Sequence, residues 1–281
     1  MENMMLKPDE IFNESVNSGI KKGNMSISKL IINGIFGGAF IAFGGAASSA
    51  ASNSIENYSL QKLVSGLVFP VGLILIIICG AELFTGNSLM IAAYKERKIT
   101  LKQLLKNWII VYLSNFTGAF FIALFLYLSG FFDGNSGKFG AQVIKIASAK
   151  CSISFSKAFF SGILCNMLVC LAVWGSTGAK DIKSKIAIIW FPIMTFIVSG
   201  FEHSVANMYY FSAGLLCKNN EAYVNAANIG NKIVGLNFKG IWHNLLPVTL
   251  GNIVGGGLII ALGYWFIFGN KKEKIENVKS I

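Results

Sequence analysis

The chain is short of charge and almost without arginine. Only 13% of its residues are Asp, Glu, Lys or Arg, and Arg97 is the only arginine among 281 residues. A soluble domain carries about 25% charged residues and covers its surface with them. A chain this poor in charge has too few to do so, and its 54% apolar content reads as a polytopic membrane protein rather than a cytosolic enzyme or a disordered segment. The lack of arginine argues against nucleic-acid binding, because the guanidinium fork is the usual reader of bases and phosphates. Cysteine is sparse as well. Cys79, Cys151, Cys165, Cys170 and Cys217 fit no metal or redox spacing, and an odd number argues against a full disulfide set, so they read as packing residues. The sequence shows no metal-ligand cluster, phosphate loop or nucleophile–base pair. No cofactor, no metal and no enzyme chemistry are expected.

Six apolar stretches remain: residues 29–52, 63–93, 104–132, 158–176, 186–216 and 241–268. Each is long enough to cross ~30 Å of hydrocarbon as a helix. Ahead of them, residues 1–28 lack the short apolar core of a cleaved signal. Ile11, Phe12, Val16 and Ile20 recur there at helical spacing, which predicts an amphipathic helix lying on the membrane surface. Residues 29–268 form the channel domain, and residues 269–281 a basic tail. The net charge is +11, and the lysines sit between the apolar blocks. With six spans both ends share one side, and that side collects sixteen basic residues against eight on the other. The positive-inside rule puts the termini in the cytoplasm of a multi-pass protein of the plasma (cell inner) membrane.

The second and fifth spans are interrupted. Gly80-Ala81-Glu82-Leu83-Phe84-Thr85-Gly86-Asn87 follows one apolar run, and Gly200-Phe201-Glu202-His203-Ser204-Val205-Ala206-Asn207 follows the other. The two breaks align at an offset of 120 residues, with Gly80 on Gly200, Glu82 on Glu202 and Asn87 on Asn207. Lys29 and Gly34 likewise meet Lys157 and Gly162, and Asn115 and Gly118 meet Asn252 and Gly255. The halves, about 29–132 and 157–268, are therefore repeats. Three spans in each make them inverted across the membrane, and paired broken helices in such halves mark a substrate path at the midplane. A break frees backbone groups that lipid cannot satisfy. Glu82 and Glu202 are placed to accept bonds from the freed N–H groups, and Asn87 and Asn207 to bond on both faces. An intramembrane acid also allows a proton-carrying role. The half-helices that restart near the midplane present positive ends that favour an anion.

These runs resemble the two signature loops of the formate–nitrite transporter family. Cys165-Asn166-Met167-Leu168-Val169-Cys170-Leu171-Ala172-Val173-Trp174 adds to the likeness, as does Asn244-Leu245-Leu246-Pro247-Val248-Thr249 leading into Gly251-Asn252-Ile253-Val254-Gly255-Gly256-Gly257. The resemblance runs from about Pro8 to Phe268. It implies an all-α, aquaporin-like fold, a homopentamer with one pore per protomer, and passage of formate or nitrite, or alternatively hydrosulfide, together with protons. Carried over by motif, Leu83, Phe84 and Thr85 line the pore from the first loop and His203 is the central histidine. Phe69 and Leu73 form a constriction on one side, and Phe196 forms one on the other. Lys150 is a vestibule lysine, with Asn166 and Asn252 near it and near the histidine. Gly86 departs from the family loop in a way that bears on gating.

His203 sits beside a midplane break, where an ionisable group is functional by default. Its ordinary pKa near 6.5 allows a charge change in the physiological range. His243, next to Trp242, reads as an interface residue. Thr85 suits a helix cap as well as a pore donor. Gly37, Gly38, Gly44, Gly45 and Ala46 in the first span suit close helix packing in an oligomer. A more distant alternative is a water or glycerol channel on the same fold. The Asn-Pro-Ala pairs of that class are absent, and the half-helices open Thr85-Gly86-Asn87 and Val205-Ala206-Asn207 instead.

Overall fold

The computed structural model describes residues 5–269. The basic tail from Asn270 onward lies outside the described residues, as do Met1–Met4. A short helix, α1 (Pro8–Gly23), precedes the first span, α2 (Ile27–Ser52). The second span consists of α3 (Tyr58–Val68) and α4 (Val71–Cys79). After its break the chain resumes as a 3₁₀ turn over Gly86–Met90 and the short α5 (Ile91–Lys95). The third span is α6 (Leu101–Leu128). The second half repeats this order. Helix α7 (Lys138–Cys151) precedes the fourth span, α8 (Phe155–Gly178), and the broken fifth span is α9 (Ile182–Ser199) with α10 (Ser204–Cys217). A short α11 (Glu221–Ala227) leads to the sixth span, made of α12 (Phe238–Asn252), a π-helical stretch over Ile253–Ala261 and α13 (Leu262–Phe268). Among the described residues, six segments are long and apolar enough to cross a membrane. They form two inverted three-helix repeats, as the sequence repeat requires.

Gly80 ends α4 with φ +80° and Gly200 ends α9 with φ +72°, both left-handed, where a side chain is strained. Gly86 is different. It has no positive φ, and a Cβ there would meet only Val173 at 3.4 Å, so nothing in the backbone demands glycine.

The small residues of α2 serve packing within one protomer, not between protomers. A Cβ on Gly38 would lie 1.9 Å from the Asn115 carbonyl oxygen, and one on Gly118 would lie 1.9 Å from that of Ile35. The first and third spans therefore touch backbone to backbone. Gly45 packs on the Tyr209 ring of α10.

Helix α1 also departs from expectation. Its apolar face is buried against protein rather than laid on lipid. Ile11, Phe12 and Val16 are buried with Leu89, Ala92, Ala93 and Trp174, and the Phe12 and Trp174 rings stand 6.3 Å apart. Amphipathic spacing specifies an apolar face; here the half-helix after the first break supplies the partner that covers it. The repeat explains the placement: α1 is the counterpart of α7, and Lys22 meets Lys150 at the same 128-residue offset that joins Lys29 to Lys157.

Candidate functional site

The breaks are held by two asparagines from the third and sixth spans. Asn115 Nδ2 donates to the carbonyl oxygens of Gly34 (2.7 Å) and Glu82 (2.9 Å), and its Oδ1 accepts from the Phe84 N–H at 2.9 Å. Asn252 does the same in the other half. Its Nδ2 donates to Gly162 (2.8 Å) and Glu202 (3.0 Å), and its Oδ1 accepts from the Ser204 N–H at 2.9 Å. One amide per break thus meets one N–H and one carbonyl that a continuous helix would have satisfied and ties the break to the first span of its half, while the glutamate N–H groups go to the Asn33 carbonyl and the Ser161 hydroxyl.

That corrects the expected role of the glutamates, whose carboxylates accept from side chains rather than from freed N–H groups. Glu82 Oε1 takes Lys22 Nζ at 3.0 Å and Oε2 takes Asn87 Nδ2 at 2.7 Å. Asn87 also donates to Asn107 Oδ1 at 2.8 Å, and Asn107 closes the ring on the Lys22 carbonyl at 3.4 Å. In the second half Glu202 Oε1 takes Lys150 Nζ at 2.6 Å and Oε2 takes Asn207 Nδ2 at 2.7 Å. Asn207 donates to Asn244 Oδ1 at 2.8 Å, and Asn244 donates to the Lys150 carbonyl at 3.0 Å. Each glutamate, buried after its glycine, faces the helix that opens its half, α1 for Glu82 and α7 for Glu202. The Lys150 charge is therefore already engaged. The asparagine that bonds to Lys150 is Asn244, through the Lys150 carbonyl, whereas the Asn166 amide bonds to Thr85, Ser88 and Asn252.

His203 is buried at 2% exposure, and Thr85 is fully buried. They join the two breaks, with Thr85 Oγ1 and His203 Nε2 at 2.8 Å. His203 is also the N-cap of α10, its Nδ1 accepting from the Ala206 N–H at 3.0 Å. An acceptor at Nδ1 in the neutral ring leaves the proton on Nε2, so Nε2–H donates to Thr85. The Thr85 hydroxyl caps no helix. Asn166 Nδ2 holds the Thr85 carbonyl at 3.1 Å and the Asn252 carbonyl at 2.6 Å, at the point where the sixth helix turns π-helical.

The constriction residues are arranged differently from the resemblance. Phe69 and Phe196 stand together, edge to face at 5.6 Å, and the Phe196 ring stacks on the His203 ring at 5.8 Å. Leu73 instead lines a cavity of about 60 Å³ with Leu83, Gly86, Asn87 and Lys22, on the side of the described chain ends. Four residues of helix separate Phe69 from Leu73, about 6 Å of rise, which moves Leu73 past the barrier. The far side opens into a cavity of about 850 Å³ that reaches down to Gly200, Phe201, Glu202 and Lys150. Phe69, Phe196, His203 and Thr85 line neither cavity and stand between them. Phe84 also lines neither; its ring packs on Tyr112 at 4.9 Å and Trp108 at 6.1 Å of α6. His243 is exposed.

Sequence reasoning missed Lys22, Asn107, Asn115 and Asn244 as site residues. The repeat alignment held the signal for two of them, since Asn115 pairs with Asn252 and Lys22 with Lys150.

What results is two cavities of unequal size separated by a dry, aromatic stretch with one histidine and one hydroxyl in it, built on twofold inverted scaffolding. The chain is 38% identical to the uncharacterized transporter YrhG of Bacillus subtilis, over 98% of each chain. It is 36% identical to the formate channel FocA of Escherichia coli K12, over 94% of this chain and 95% of that one. A solved pentameric formate channel with formate bound superposes with a TM-score of 0.79 at 33% identity, covering 87% of this chain and 98% of that one. The aquaglyceroporin of Plasmodium falciparum shares the fold alone, with a TM-score of 0.51 at 15% identity over 83% of this chain and 96% of that one. The formate/nitrite transporter family model matches residues 9–266. With the family model matched over nearly the whole length and relatives above 30% identity covered almost end to end, the chain belongs to the formate/nitrite transporter family.

Proposed function

We propose that this protein is a channel for small monovalent weak-acid anions, formate first and nitrite beside it, with one pore in each protomer of a homopentamer. The termini face the cytoplasm, in keeping with the sixteen-to-eight division of basic residues. FocA is named a formate channel, and the solved relative is a pentamer with formate bound. The observation that carries the reading is the run of contacts from Phe69 to Phe196, from Phe196 to the His203 ring, and from His203 to Thr85 between the two cavities.

The chemistry follows from that contact. An anion entering an apolar ring of phenyls loses its water, and an unpaired charge there is far costlier than a neutral acid. Thr85 accepts from His203 Nε2–H, so its own proton is free to donate to an anion oxygen. The neutral ring has no spare proton to give. A second proton must enter at Nδ1, which the Ala206 N–H occupies at 3.0 Å. Charging the imidazole and releasing the α10 cap are therefore one event. Passage as the neutral acid and passage as an anion balanced by imidazolium both draw on it. Glu82 and Glu202 act as braces: each carboxylate takes a lysine on Oε1 and asparagine amides on Oε2, from Asn87 at Glu82 and from Asn207 and Asn244 at Glu202.

The test is initial influx of formate, nitrite and hydrosulfide into proteoliposomes, set against glycerol swelling. Formate and nitrite flux without glycerol swelling supports the reading. Preferential hydrosulfide flux reassigns the substrate, and glycerol swelling alone refutes an anion channel. Native mass spectrometry in mild detergent should give a pentamer.

A further inference from the structure

The far cavity is cationic, and its best-buried ammonium is already taken. Lys62, Lys138, Lys145 and Lys150 line it against Glu56 and Glu202. Lys150 gives its charge to Glu202 at 2.6 Å, as Lys22 gives its own to Glu82 in the other half. Because that pairing is duplicated by the repeat, it serves the scaffold common to both halves. It leaves the mouth's attraction for an anion to the remaining lysines.

Lys62 differs from the rest of these. Lys138 and Lys145 are exposed at the rim, whereas Lys62 is half-buried. Its Nζ stands 3.5 Å from the position a Cβ on Gly200 would take, directly over the break of the fifth span. No carboxylate among the described residues pairs with it; its nearest aromatic is Tyr58, 5.6 Å from Nζ to the ring centroid. Phe69 lies seven residues on, two turns along the same face of the span and about 10 Å deeper. The ammonium therefore stands above the phenyl that begins the dry stretch. Under the 120-residue offset that aligns the breaks, Lys62 falls on Ile182, which is exposed. The scaffold does not ask for a cation at this position, so the charge belongs to one mouth.

We propose that Lys62 is the specificity-determining cation of the far mouth, which concentrates the monovalent anion over the Gly200 break and delivers it to Phe69, while Lys150 is a positioning residue for Glu202. This rests on the reading of the chain as an anion channel. A low-dielectric funnel lined by one sign of charge raises the local concentration and capture rate of the opposite ion, and the effect is screened by salt.

The experiment is initial formate influx from the far side into oriented proteoliposomes, as a function of formate concentration. It is run at about 10 mM and about 0.15 M ionic strength, where the Debye length is about 30 Å and about 8 Å. Lys62→Gln should raise apparent KM about three- to tenfold at low salt with maximal flux unchanged, as for loss of one charge from a steering funnel. At the higher salt the difference should shrink to about twofold or less. Lys62→Arg should restore the wild-type KM, Lys62→Glu should raise it further than Gln, and the rim variant Lys145→Gln should have a smaller effect. Influx from the opposite side should keep its KM in every variant. A wild-type KM for Lys62→Gln at both ionic strengths overturns the proposal, as does a loss of maximal flux that Lys62→Arg does not rescue. If Lys62→Gln does not assemble, the Arg and Glu pair decides: equal KM for the two refutes charge as the cause. Wild-type protein that passes no formate refutes the channel reading instead, so the two failures are distinct.

Discussion

The backbone N–H of Ala206 donates to His203 Nδ1 over 3.0 Å, so the histidine between the two cavities is also the cap of the helix behind it. Its other nitrogen reaches Thr85 in the opposite repeat at 2.8 Å. One imidazole thus closes the fifth span's break and joins it to the second span's. Whatever changes the ring's proton count also changes the helix end and the inter-repeat bond.

The brace lysines should matter for stability. Lys150→Met leaves Glu202 buried at 4% exposure without its cation, and breaking one side of a buried pair costs about 3–5 kcal/mol. Lys22→Met should cost less, because the Lys22 side chain keeps 25% exposure against 15% for Lys150. Adding Glu202→Gln to Lys150→Met should recover most of the loss. Thermal denaturation of the purified protein reads all three. A doubly substituted protein no more stable than Lys150→Met speaks against the brace and for an essential Glu202 charge.

The asparagines of the third and sixth spans should be more sensitive still. Asn252→Leu strips the partners of the Ser204 N–H and of the Glu202 carbonyl, and cuts the tie from the break to the Gly162 carbonyl of α8. Each buried backbone group left unmet costs about 1–3 kcal/mol. Asn115→Leu should behave alike, since its three bonds are the same. Failure to accumulate as a folded oligomer, by size-exclusion chromatography, is the expected outcome for both. Normal yield and melting temperature would mean that water satisfies the breaks instead.

How much of this was legible follows from where each partner lies in the chain. The breaks and their repeat stood out because Gly80, Glu82 and Asn87 recur as Gly200, Glu202 and Asn207 within short runs. The other halves of the braces did not, because Lys22 is 60 residues from Glu82 and Asn107 is 20 residues from Asn87, on different helices. Their meeting depends on how the spans pack, which periodicity does not encode. The same holds for Phe69 and Phe196, which read as opposite constrictions until packing put them edge to face. The π-helical stretch over Ile253–Ala261 had only the Gly255–Gly257 run as a hint. Where it begins, the Asn252 carbonyl takes the Asn166 amide of another helix at 2.6 Å, a partner far away in the chain.

The phenyl pair should set the barrier to neutral solutes. Phe69 is 1% exposed, and Phe69→Ala removes its edge-to-face contact with Phe196 and opens space between the cavities. Large-to-small changes of this kind cost about 3–5 kcal/mol in a packed core, so a lower melting temperature is expected together with a glycerol leak. Phe69→Leu should keep the seal. Stopped-flow swelling of proteoliposomes in glycerol measures it. No leak in the alanine variant would place the barrier elsewhere, at Leu73 and Leu83.

Proton-linked passage depends on His203. Asparagine is a good N-cap, so His203→Asn keeps a side-chain acceptor for α10 while removing the group that titrates. The decisive measurement is formate influx into pentamer-containing liposomes across the range in which imidazole titrates, from about pH 5 to about pH 8, for wild type and His203→Asn side by side. The wild type should show flux that changes with pH. The variant should assemble, conduct less, and show a flat profile. Two profiles that superimpose would make His203 a structural cap and nothing more, and would contradict a proton-linked passage through this site.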